Sequence, residues 1–309
     1  MNIAWQGVFP AVTTQFREDL SIDVADTQRV IDDLIKDGVS GVIAMGTCGE
    51  NNSLTADEKR ILLKAIVEVV AGRVPVITGV SELTTPLAIA WVKDAETLGA
   101  DGLMLLPAMV YVPKVAELVA HFTQVAEATN LPIMLYNNPA AYRVNISNEA
   151  LEALRPVKNI VAIKESASDT RRFTDLYNAF GDRFAIFAGL DDVAFEGLLL
   201  GAQGWISGLT SAFPRESVML VKALKAGDIA TARDIYRWFL PLLHLDAEHD
   251  LVQSIKLAEQ VMGRGSERVR MPRMPLVGER RAEVIAMVET AAASRPSLKI
   301  TAKASTVLS

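Results

Sequence analysis

The hydrophobic positions of this chain follow two periods that alternate along its length. Short runs of β-branched and small apolar residues, such as residues 160–164, predict strands that are buried on both faces. Longer segments with an apolar residue every third or fourth position, such as residues 24–36, predict amphipathic helices. The predicted strands are 7–13, 42–45, 74–79, 103–106, 132–136, 160–164, 184–188 and 205–206. The predicted helices that follow them are 24–36, 55–70, 86–98, 114–129, 148–154, 170–180, 193–200 and 214–226.

One helix-to-strand junction recurs, as GVSG at 38–41, GADG at 99–102 and GAQG at 201–204. Its first glycine suits the left-handed position after a helix, and its second permits close packing where the next strand begins. Eight strands that alternate with helices predict an α/β protein with the (β/α)₈ architecture of a TIM barrel. An open doubly wound sheet is the structural alternative, and it is disfavoured because no Gly-x-Gly-x-x-Gly follows a strand.

The pattern changes after residue 226, where three further helices are predicted at 229–243, 251–262 and 280–293. We therefore expect a catalytic barrel over residues 1–226 and a C-terminal helical extension over 227–294. Residues 295–309 lack an apolar period and are expected to form a flexible tail.

Composition excludes several classes of function. The 309 residues carry a net charge of −6 and no basic block, which argues against nucleic acid as a partner. No apolar run approaches the roughly 20 residues of a membrane helix, and the N-terminus lacks the features of a signal peptide, so a cytoplasmic protein is expected. The single cysteine excludes an internal disulfide and a multi-cysteine zinc site. The acidic and histidine cluster from His244 to Asp250 has the composition of a metal site, but a solvated turn between helices is the favoured interpretation, and no metal or cofactor is expected.

Lys164 ends a buried strand, and the C-terminal strand ends of a barrel are where ligands bind. A charged amine in that position must be paired, reach water or lose its proton. Two interpretations follow: a nucleophile that forms an imine with a carbonyl substrate, or a lysine paired with a carboxylate at the barrel rim.

Other strand ends carry candidate groups. The turn Gly46-Thr47-Cys48-Gly49 can direct backbone N–H groups at an anion, with Thr47 as a proton relay, or it can be a tight turn that caps a helix. Tyr136 lies on the strand next to that of Lys164, either as a proton shuttle or as a structural tyrosine. A nucleophilic role for Cys48 is disfavoured because no histidine can be assigned as its base. Gly189 and Ile206 end the last two strands and offer close backbone approach and a carbonyl acceptor.

Five motifs in this order and spacing resemble the dihydrodipicolinate synthase and N-acetylneuraminate lyase family: Gly46-Thr47-x-Gly49-Glu50, Tyr136-Asn137-x-Pro139, Ile163-Lys164-Glu165-Ser166, Gly189-x-Asp191-Asp192 and Gly201-Ala202-x-Gly204-x-Ile206-Ser207. The resemblance implies a barrel with a C-terminal helical extension, a homotetramer, and imine formation between Lys164 and a 2-oxo acid. It also implies Tyr136 as proton shuttle and Thr47 in its relay and at the substrate carboxylate. The substrate-binding residues expected from these motifs are Thr47, Cys48, Asn138, Ser166, Gly189 and Ile206.

The chain departs from the synthase pattern at three places. Cys48 stands where the synthase has a second threonine, and Ala141 stands where it has an arginine for its second substrate, with Arg143 nearby. Tyr111 is the candidate for the tyrosine that family members insert into a neighbouring subunit's site, but its loop, 107–113, is one residue out of register. The synthase reaction of lysine biosynthesis is therefore the weaker interpretation.

Several phrases are instead similar to 1-pyrroline-4-hydroxy-2-carboxylate deaminases of hydroxyproline catabolism, among them residues 7–16, 169–173 and 238–246. That resemblance implies a hydrolytic deamination of a cyclic imino acid to 2,5-dioxopentanoate and ammonia. The alternatives are a 2-keto-3-deoxy sugar acid aldolase or dehydratase, 4-hydroxy-tetrahydrodipicolinate synthase, and a non-catalytic barrel that binds a 2-oxo acid. Polar side chains that can contact a small hydroxylated ring are Asn51, Asn138, Tyr142, Ser166 and Ser207.

Overall fold

The computed structural model describes residues 3–108 and 111–296 and contains one sheet of eight parallel strands. The strands are β1 (Gly7–Pro10), β2 (Val42–Ala44), β3 (Val76–Val80), β4 (Gly102–Leu105), β5 (Ile133–Asn137), β6 (Ile160–Glu165), β7 (Ala185–Ala188) and β8 (Gly204–Ser207). Their order is β1-β8-β7-β6-β5-β4-β3-β2, and a single bridge between Ala11 and Ile43 joins the two ends. The predicted TIM barrel is confirmed.

The helices alternate with the strands as the apolar period predicts. They are α1 (Val24–Lys36), α2 (Ala56–Val70), α3 (Thr85–Thr97), α4 (Val115–Glu127), α5 (Pro139–Tyr142), α6 (Asn148–Leu154), α7 (Arg171–Phe180), α8 (Ala194–Leu199), α9 (Pro214–Lys225), α10 (Ile229–Leu243), α11 (Leu251–Val261) and α12 (Gly278–Ala293). Only the four-residue helix α5 was not predicted. It forms because the Asn138 side chain accepts a hydrogen bond from Ala141 N and Pro139 supplies a helical φ at the first position.

Every residue of the eight strands is buried, in keeping with a parallel sheet that is covered by helices. The register places Tyr136 beside Lys164 and Asn137 beside Glu165. Because side chains alternate between the two faces of a strand, Lys164 and Tyr136 point to one face and Glu165 and Asn137 to the other.

The C-terminal helices pack against the barrel and each other: α10 contacts α9, and α11 and α12 form a pair. A short 3₁₀ segment, His244–Ala247, connects α10 to α11. No helix in the described part of the chain is long and apolar enough to span a membrane. The boundary at residue 226 stays a prediction, and residues 297–309 of the expected flexible tail lie outside the described residues.

Candidate active site

A cavity of about 60 Å³ opens at the C-terminal ends of the strands. It is lined by Ala11, Thr47, Cys48, Met104, Tyr136, Asn138, Ala141, Tyr142, Lys164, Gly189, Gly208, Asp246 and Leu251. Of the residues predicted from sequence, Lys164, Tyr136, Thr47, Cys48, Asn138 and Gly189 meet in this cavity.

Lys164 is 6% exposed, and its Nζ lies 4.0 Å from the centroid of the Tyr136 ring. Within the described residues, no carboxylate oxygen lies within 4.0 Å of this amine. A lysine held in an ion pair, the alternative considered from sequence, therefore does not occur among them. The amine is free to react with a carbonyl or imine carbon.

The strand ends that carry Lys164 and Tyr136 are fixed from the opposite face. Asn137 Nδ2 donates to both carboxylate oxygens of Glu165 at 2.9 and 3.0 Å, and Ala167 N donates to Glu165 Oε1 at 2.8 Å. Arg172 Nε pairs with Glu165 Oε2 at 3.2 Å. These bonds hold β5 and β6 in one register, so the positions of the amine and the phenol are set by the scaffold.

Gly189 makes room for the Lys164 side chain. A Cβ atom at position 189 would lie 2.6 Å from Lys164 Cγ, 2.7 Å from Lys164 Cε and 2.3 Å from Ser166 Oγ. These distances are shorter than any van der Waals contact, so only glycine allows the amine its present path into the cavity.

The Tyr136 hydroxyl accepts a hydrogen bond from Asn138 Nδ2 at 3.2 Å, and burial raises the pKa of this phenol. The hydroxyl is therefore protonated at neutral pH. The alternative was a structural tyrosine bonded to the backbone, but the Tyr136 hydroxyl is bonded to the Asn138 side chain, which also lines the cavity. A phenol beside the amine can give a proton to a developing alkoxide or amide anion and take it back.

Thr47 Oγ1 forms a hydrogen bond with the hydroxyl of Tyr142 at 2.6 Å. The rings of Tyr142 and Tyr136 lie edge to face with centroids 5.6 Å apart, so the hydroxyls of Thr47, Tyr142 and Tyr136 gather on one wall. Sequence reasoning gave Tyr142 only as a possible contact. Its place depends on helix α5, whose cap and proline are visible in the sequence but whose direction is not.

Thr47 lies in a strained turn after β2. Met45 and Glu50, which flank the turn, have φ values of 51° and 54°, in the left-handed region that residues with a side chain rarely adopt. Asn51 holds the turn, since its Nδ2 donates to Met45 O at 2.9 Å. This contact gives Asn51 a structural place outside the cavity lining.

Cys48 lines the cavity as a buried free thiol. Burial raises the pKa of this thiol, because the low-dielectric surroundings disfavour the thiolate. The group is neutral at pH 7, which agrees with the expectation that Cys48 is not a nucleophile.

The remaining predicted residues lie around the cavity without lining it. Ser166 is buried behind Gly189, close to the hydroxyl of Tyr136. Ile206 is buried in β8, and Ser207 donates through Oγ to Asp191 Oδ2 at 3.0 Å. Arg143 and Tyr111 are exposed and outside the cavity of their own chain.

Asp246 was not predicted as a site residue, because the segment from His244 to Asp250 resembled a solvated turn. In the structure this 3₁₀ segment brings Asp246 into the cavity lining, while its neighbours His244 and Glu248 face solvent. Burial raises the pKa of the Asp246 carboxyl to about 6, and the positive charge of Lys164 opposes that rise. The interpretation of the whole segment as a solvated turn is wrong at this one residue.

Asp191, a buried carboxylate, forms a hydrogen bond with the half-buried Asp246 through its backbone N–H. Asp191 accepts hydrogen bonds from Trp205 Nε1 at 2.9 Å, Ser207 Oγ at 3.0 Å and Leu209 N at 3.1 Å, and its own N–H donates to Asp246 Oδ2 at 3.3 Å. Burial and the nearby Asp246 raise the pKa of Asp191. Two carboxyl groups in one buried region disfavour double ionisation, so their titrations are linked.

Within residues 3–108 and 111–296, no group of three or more histidine, cysteine or acidic side chains is arranged to hold a metal ion. In the segment from His244 to Asp250, His244 and Asp250 contact different residues and do not converge on one point. His244 Nδ1 lies 3.0 Å from Asp192 Oδ2, and Asp250 pairs with Arg280 at 2.9 and 3.1 Å.

The chain is similar to known proteins both in sequence and in structure. Residues 4–291 match the Dihydrodipicolinate synthetase family. The 4-hydroxy-tetrahydrodipicolinate synthase of Exiguobacterium sibiricum is 36% identical over 286 residues, covering 93% of this chain and 97% of the relative. The enzyme of the same name from Salinibacter ruber is 34% identical over 276 residues, covering 89% and 91%. A crystal structure of a prophage protein of the dihydrodipicolinic acid synthase family from E. coli K12, in complex with pyruvate, superposes with a TM-score of 0.89 at 30% identity, over 94% of this chain and 99% of that one.

Proposed function

Because the chain belongs to the dihydrodipicolinate synthetase family, whose lyases work through a Schiff base, we propose that Lys164 forms an imine with a cyclic imino acid and that the protein is a 1-pyrroline-4-hydroxy-2-carboxylate deaminase. The coarser activity, Schiff-base lyase chemistry, follows from the family. The choice of substrate is our proposal.

The proposed reaction begins when Lys164 Nζ adds to the ring imine carbon, C2. The bond from C2 to the ring nitrogen then breaks, which opens the ring and leaves C2 as an imine of Lys164. The protonated imine makes the hydrogens on C3, the carbon next to C2, more acidic. A proton therefore leaves C3, and the C4 hydroxyl leaves as water. A proton shift then moves the unsaturation to an imine at C5. Hydrolysis of the C5 imine releases ammonia, and hydrolysis of the Lys164 imine releases 2,5-dioxopentanoate, so that one water is consumed overall.

The other residues of the cavity have roles that this sequence of steps requires. Tyr136 is the proposed proton shuttle, because its protonated hydroxyl lies on the strand beside Lys164. The proposed partners of the substrate carboxylate are the Thr47 hydroxyl and the turn that carries it. Asn138, which holds the Tyr136 hydroxyl, is proposed to orient it.

The observation that carries the choice of substrate is the charge of the cavity lining. Its charged side chains are Lys164 and Asp246, and no arginine lines the part of the cavity that the described residues form. Ala141 occupies the lining where the resemblance leads one to expect an arginine for a second carboxylate. A site with one cation and one acidic group fits a substrate with a single carboxylate and a hydroxyl better than two anionic substrates.

The second candidate is 4-hydroxy-tetrahydrodipicolinate synthase, which the names of the curated relatives favour. It uses the same imine and therefore the same Lys164. The two candidates differ in what the imine does next, since the synthase condenses it with an aldehyde that carries its own carboxylate.

A paired assay separates the two candidates. Purified protein is incubated with 1-pyrroline-4-hydroxy-2-carboxylate and ammonia is measured; in parallel it is incubated with pyruvate and aspartate semialdehyde, and consumption of the aldehyde is followed. We expect ammonia and 2,5-dioxopentanoate in equal amounts, and condensation slower by at least about 100-fold, the order of magnitude of a lost ion pair to substrate. Condensation without ammonia release would replace the proposal with the synthase.

A further inference from the structure

We propose that Asp246, a residue of the C-terminal extension, is a catalytic acid that protonates the departing C4 hydroxyl of the substrate. This inference rests on the proposed deaminase function and adds a residue to it. The elimination needs such a group, because hydroxide is a poor leaving group unless it departs as water.

The position of Asp246 supports this role. Asp246 and Lys164 line the same cavity but come from different parts of the chain, the 3₁₀ segment before α11 and the end of β6. Their charged atoms are more than 4.0 Å apart, since no ion pair joins them among the described residues. Because both side chains line one cavity without pairing, the far carbons of a small molecule held as an imine on Lys164 can be directed toward Asp246.

The orientation of the carboxyl group supports it next. Asp246 Oδ2 accepts the N–H of Asp191 at 3.3 Å, which fixes one oxygen. The other oxygen lies beside Gly208 and Cys48 of the lining: a Cβ built on Gly208 would lie 2.9 Å from Asp246 Oδ1, 3.3 Å from Cys48 Sγ and 2.4 Å from Ile255 Cδ1 of helix α11. Glycine at position 208 therefore leaves room for Oδ1 at the lining, and Oδ1 is the atom that we assign to the C4 hydroxyl.

The acid–base properties of the Asp246 carboxyl group also support this role. The charged and titratable groups that face Asp246 are Lys164 from β6, Tyr136 from β5, Asp191 and Asp192 from the turn after β7, and Cys48 from the turn after β2. Burial raises the pKa of Asp246 to about 6, so a useful fraction of this carboxyl group carries a proton near neutral pH. An ordinary surface aspartate, with a pKa of about 3.9, would hold almost none.

Before the elimination, Tyr136 gives its proton to the ring nitrogen as the ring opens and is left as a phenolate. The electron pair of the C3–H bond then forms the C3–C4 double bond as the Tyr136 phenolate takes the C3 proton, and the C4–O bond breaks with its pair staying on oxygen. That oxygen takes the proton of Asp246 Oδ1 and leaves as water. Asp246 is left as a carboxylate and regains a proton from solvent before the next turnover.

The test compares wild type with Asp246→Asn, which keeps the shape of the side chain and an acceptor for Asp191 N but cannot supply the proton. We expect kcat for ammonia release to fall by about 10²- to 10³-fold with KM changed less than about threefold, the scale of a lost general acid. The fall of wild-type kcat as pH rises above about 6 should disappear in the variant. Glu248→Gln, an exposed neighbour in the same segment, is the matched control and should behave as wild type.

Borohydride trapping with the substrate reports the step directly. In Asp246→Asn the adduct on Lys164 should retain the C4 hydroxyl and be heavier by one water than the dehydrated adduct of wild type. Trapping of pyruvate should be equal in both proteins, which shows that the pocket is folded and the amine competent.

The outcomes separate the two claims. If wild type releases ammonia and Asp246→Asn does so at an unchanged rate and pH profile, the role of Asp246 is overturned and the deaminase stands. If wild type traps pyruvate but releases no ammonia, the deaminase itself is overturned, and the role of Asp246 with it.

Discussion

At the scale of single residues, the site depends on positions with small or no side chains as much as on its reactive groups. Gly189 and Gly208 have no side chains, and a Cβ atom at either position would overlap Lys164 or Asp246 where they line the cavity. Ala141 leaves open the position where a second anionic substrate would need a cation. Among the described residues, the lining carries one amine, two phenols, one threonine hydroxyl, one thiol and one carboxyl group.

Gly189→Ala tests whether the path of the Lys164 side chain requires glycine at position 189. The new Cβ would overlap Lys164 Cγ and Cε, so the amine must move by about an ångström, and displacements of that size cost about 10²-fold in rate. We expect slower imine formation with pyruvate by that order, measured by borohydride trapping against time.

Gly197→Ala is its control. A Cβ at position 197 would lie 2.7 Å from the Phe173 ring, a comparable overlap in the core but outside the cavity. This variant should lose stability and keep its rate of trapping. Equal rates for Gly189→Ala and wild type would show that the path of Lys164 does not depend on Gly189.

At the scale of elements, helix α11 ties the C-terminal extension to the turn that carries Thr47. Lys256 Nζ donates to Glu50 Oε1 at 3.0 Å and to Thr14 O at 2.9 Å, and Glu259 accepts from Thr13 Oγ1 at 2.8 and 3.0 Å. All four side-chain groups are buried. The extension therefore contributes to the site in two ways, by supplying Asp246 and by anchoring the turn after β2.

This buried network predicts how stability depends on pH. Burial raises the pKa of Glu259 from 4.5 to about 7, so between these values the native protein holds a proton that the unfolded chain releases. The free energy of unfolding should therefore fall as pH rises through this range, by up to about 3 kcal/mol from this residue.

Urea unfolding of wild type and Glu259→Gln from pH 5 to pH 8 measures the effect. The stability of wild type relative to the variant should decline as pH rises, whereas Glu149→Gln, an exposed change, should leave the wild-type slope intact. Parallel slopes for wild type and Glu259→Gln would contradict the assignment.

The elements were predictable because each depends on local periodicity: buried apolar runs give strands, and the three- and four-residue period gives helices. Lys164, Tyr136 and Thr47 were also predictable as candidates, since each follows a strand that can be recognised in the sequence. Asp246 was not, because the polar residues near it in the sequence, His244 and Glu248, face solvent, and its hydrogen-bond partner Asp191 lies 55 residues away along the chain. Tyr142 depends on the direction of a four-residue helix, which no period reveals.

At the scale of the whole molecule, the barrel presents an apolar surface outside the active site. Leu83, Leu87, Tyr111 and Val112 are each more than half exposed, and Leu83 and Tyr111 line one surface cavity. Exposed apolar groups gathered in one place are typical of association surfaces. We expect this surface to pack against a second copy of the chain.

Leu87→Asp should weaken that association, because a carboxylate in an apolar contact must lose its hydration. Sedimentation velocity at several protein concentrations measures the change, with Leu199→Asp, an exposed leucine on helix α8, as the control. A shift to smaller species for Leu87→Asp alone is the expected result. Identical distributions for both variants and wild type would remove this surface from the interface.

The central claim is that Lys164 is the covalent centre of the molecule, and its most direct test is borohydride reduction in the presence of pyruvate. Intact mass followed by peptide mapping should show one adduct, confined to Lys164, in wild type and none in Lys164→Ala, whose thermal unfolding should remain cooperative. An adduct on another lysine, or none on wild type with any 2-oxo acid, would contradict the account and leave a barrel that binds its ligand without forming an imine.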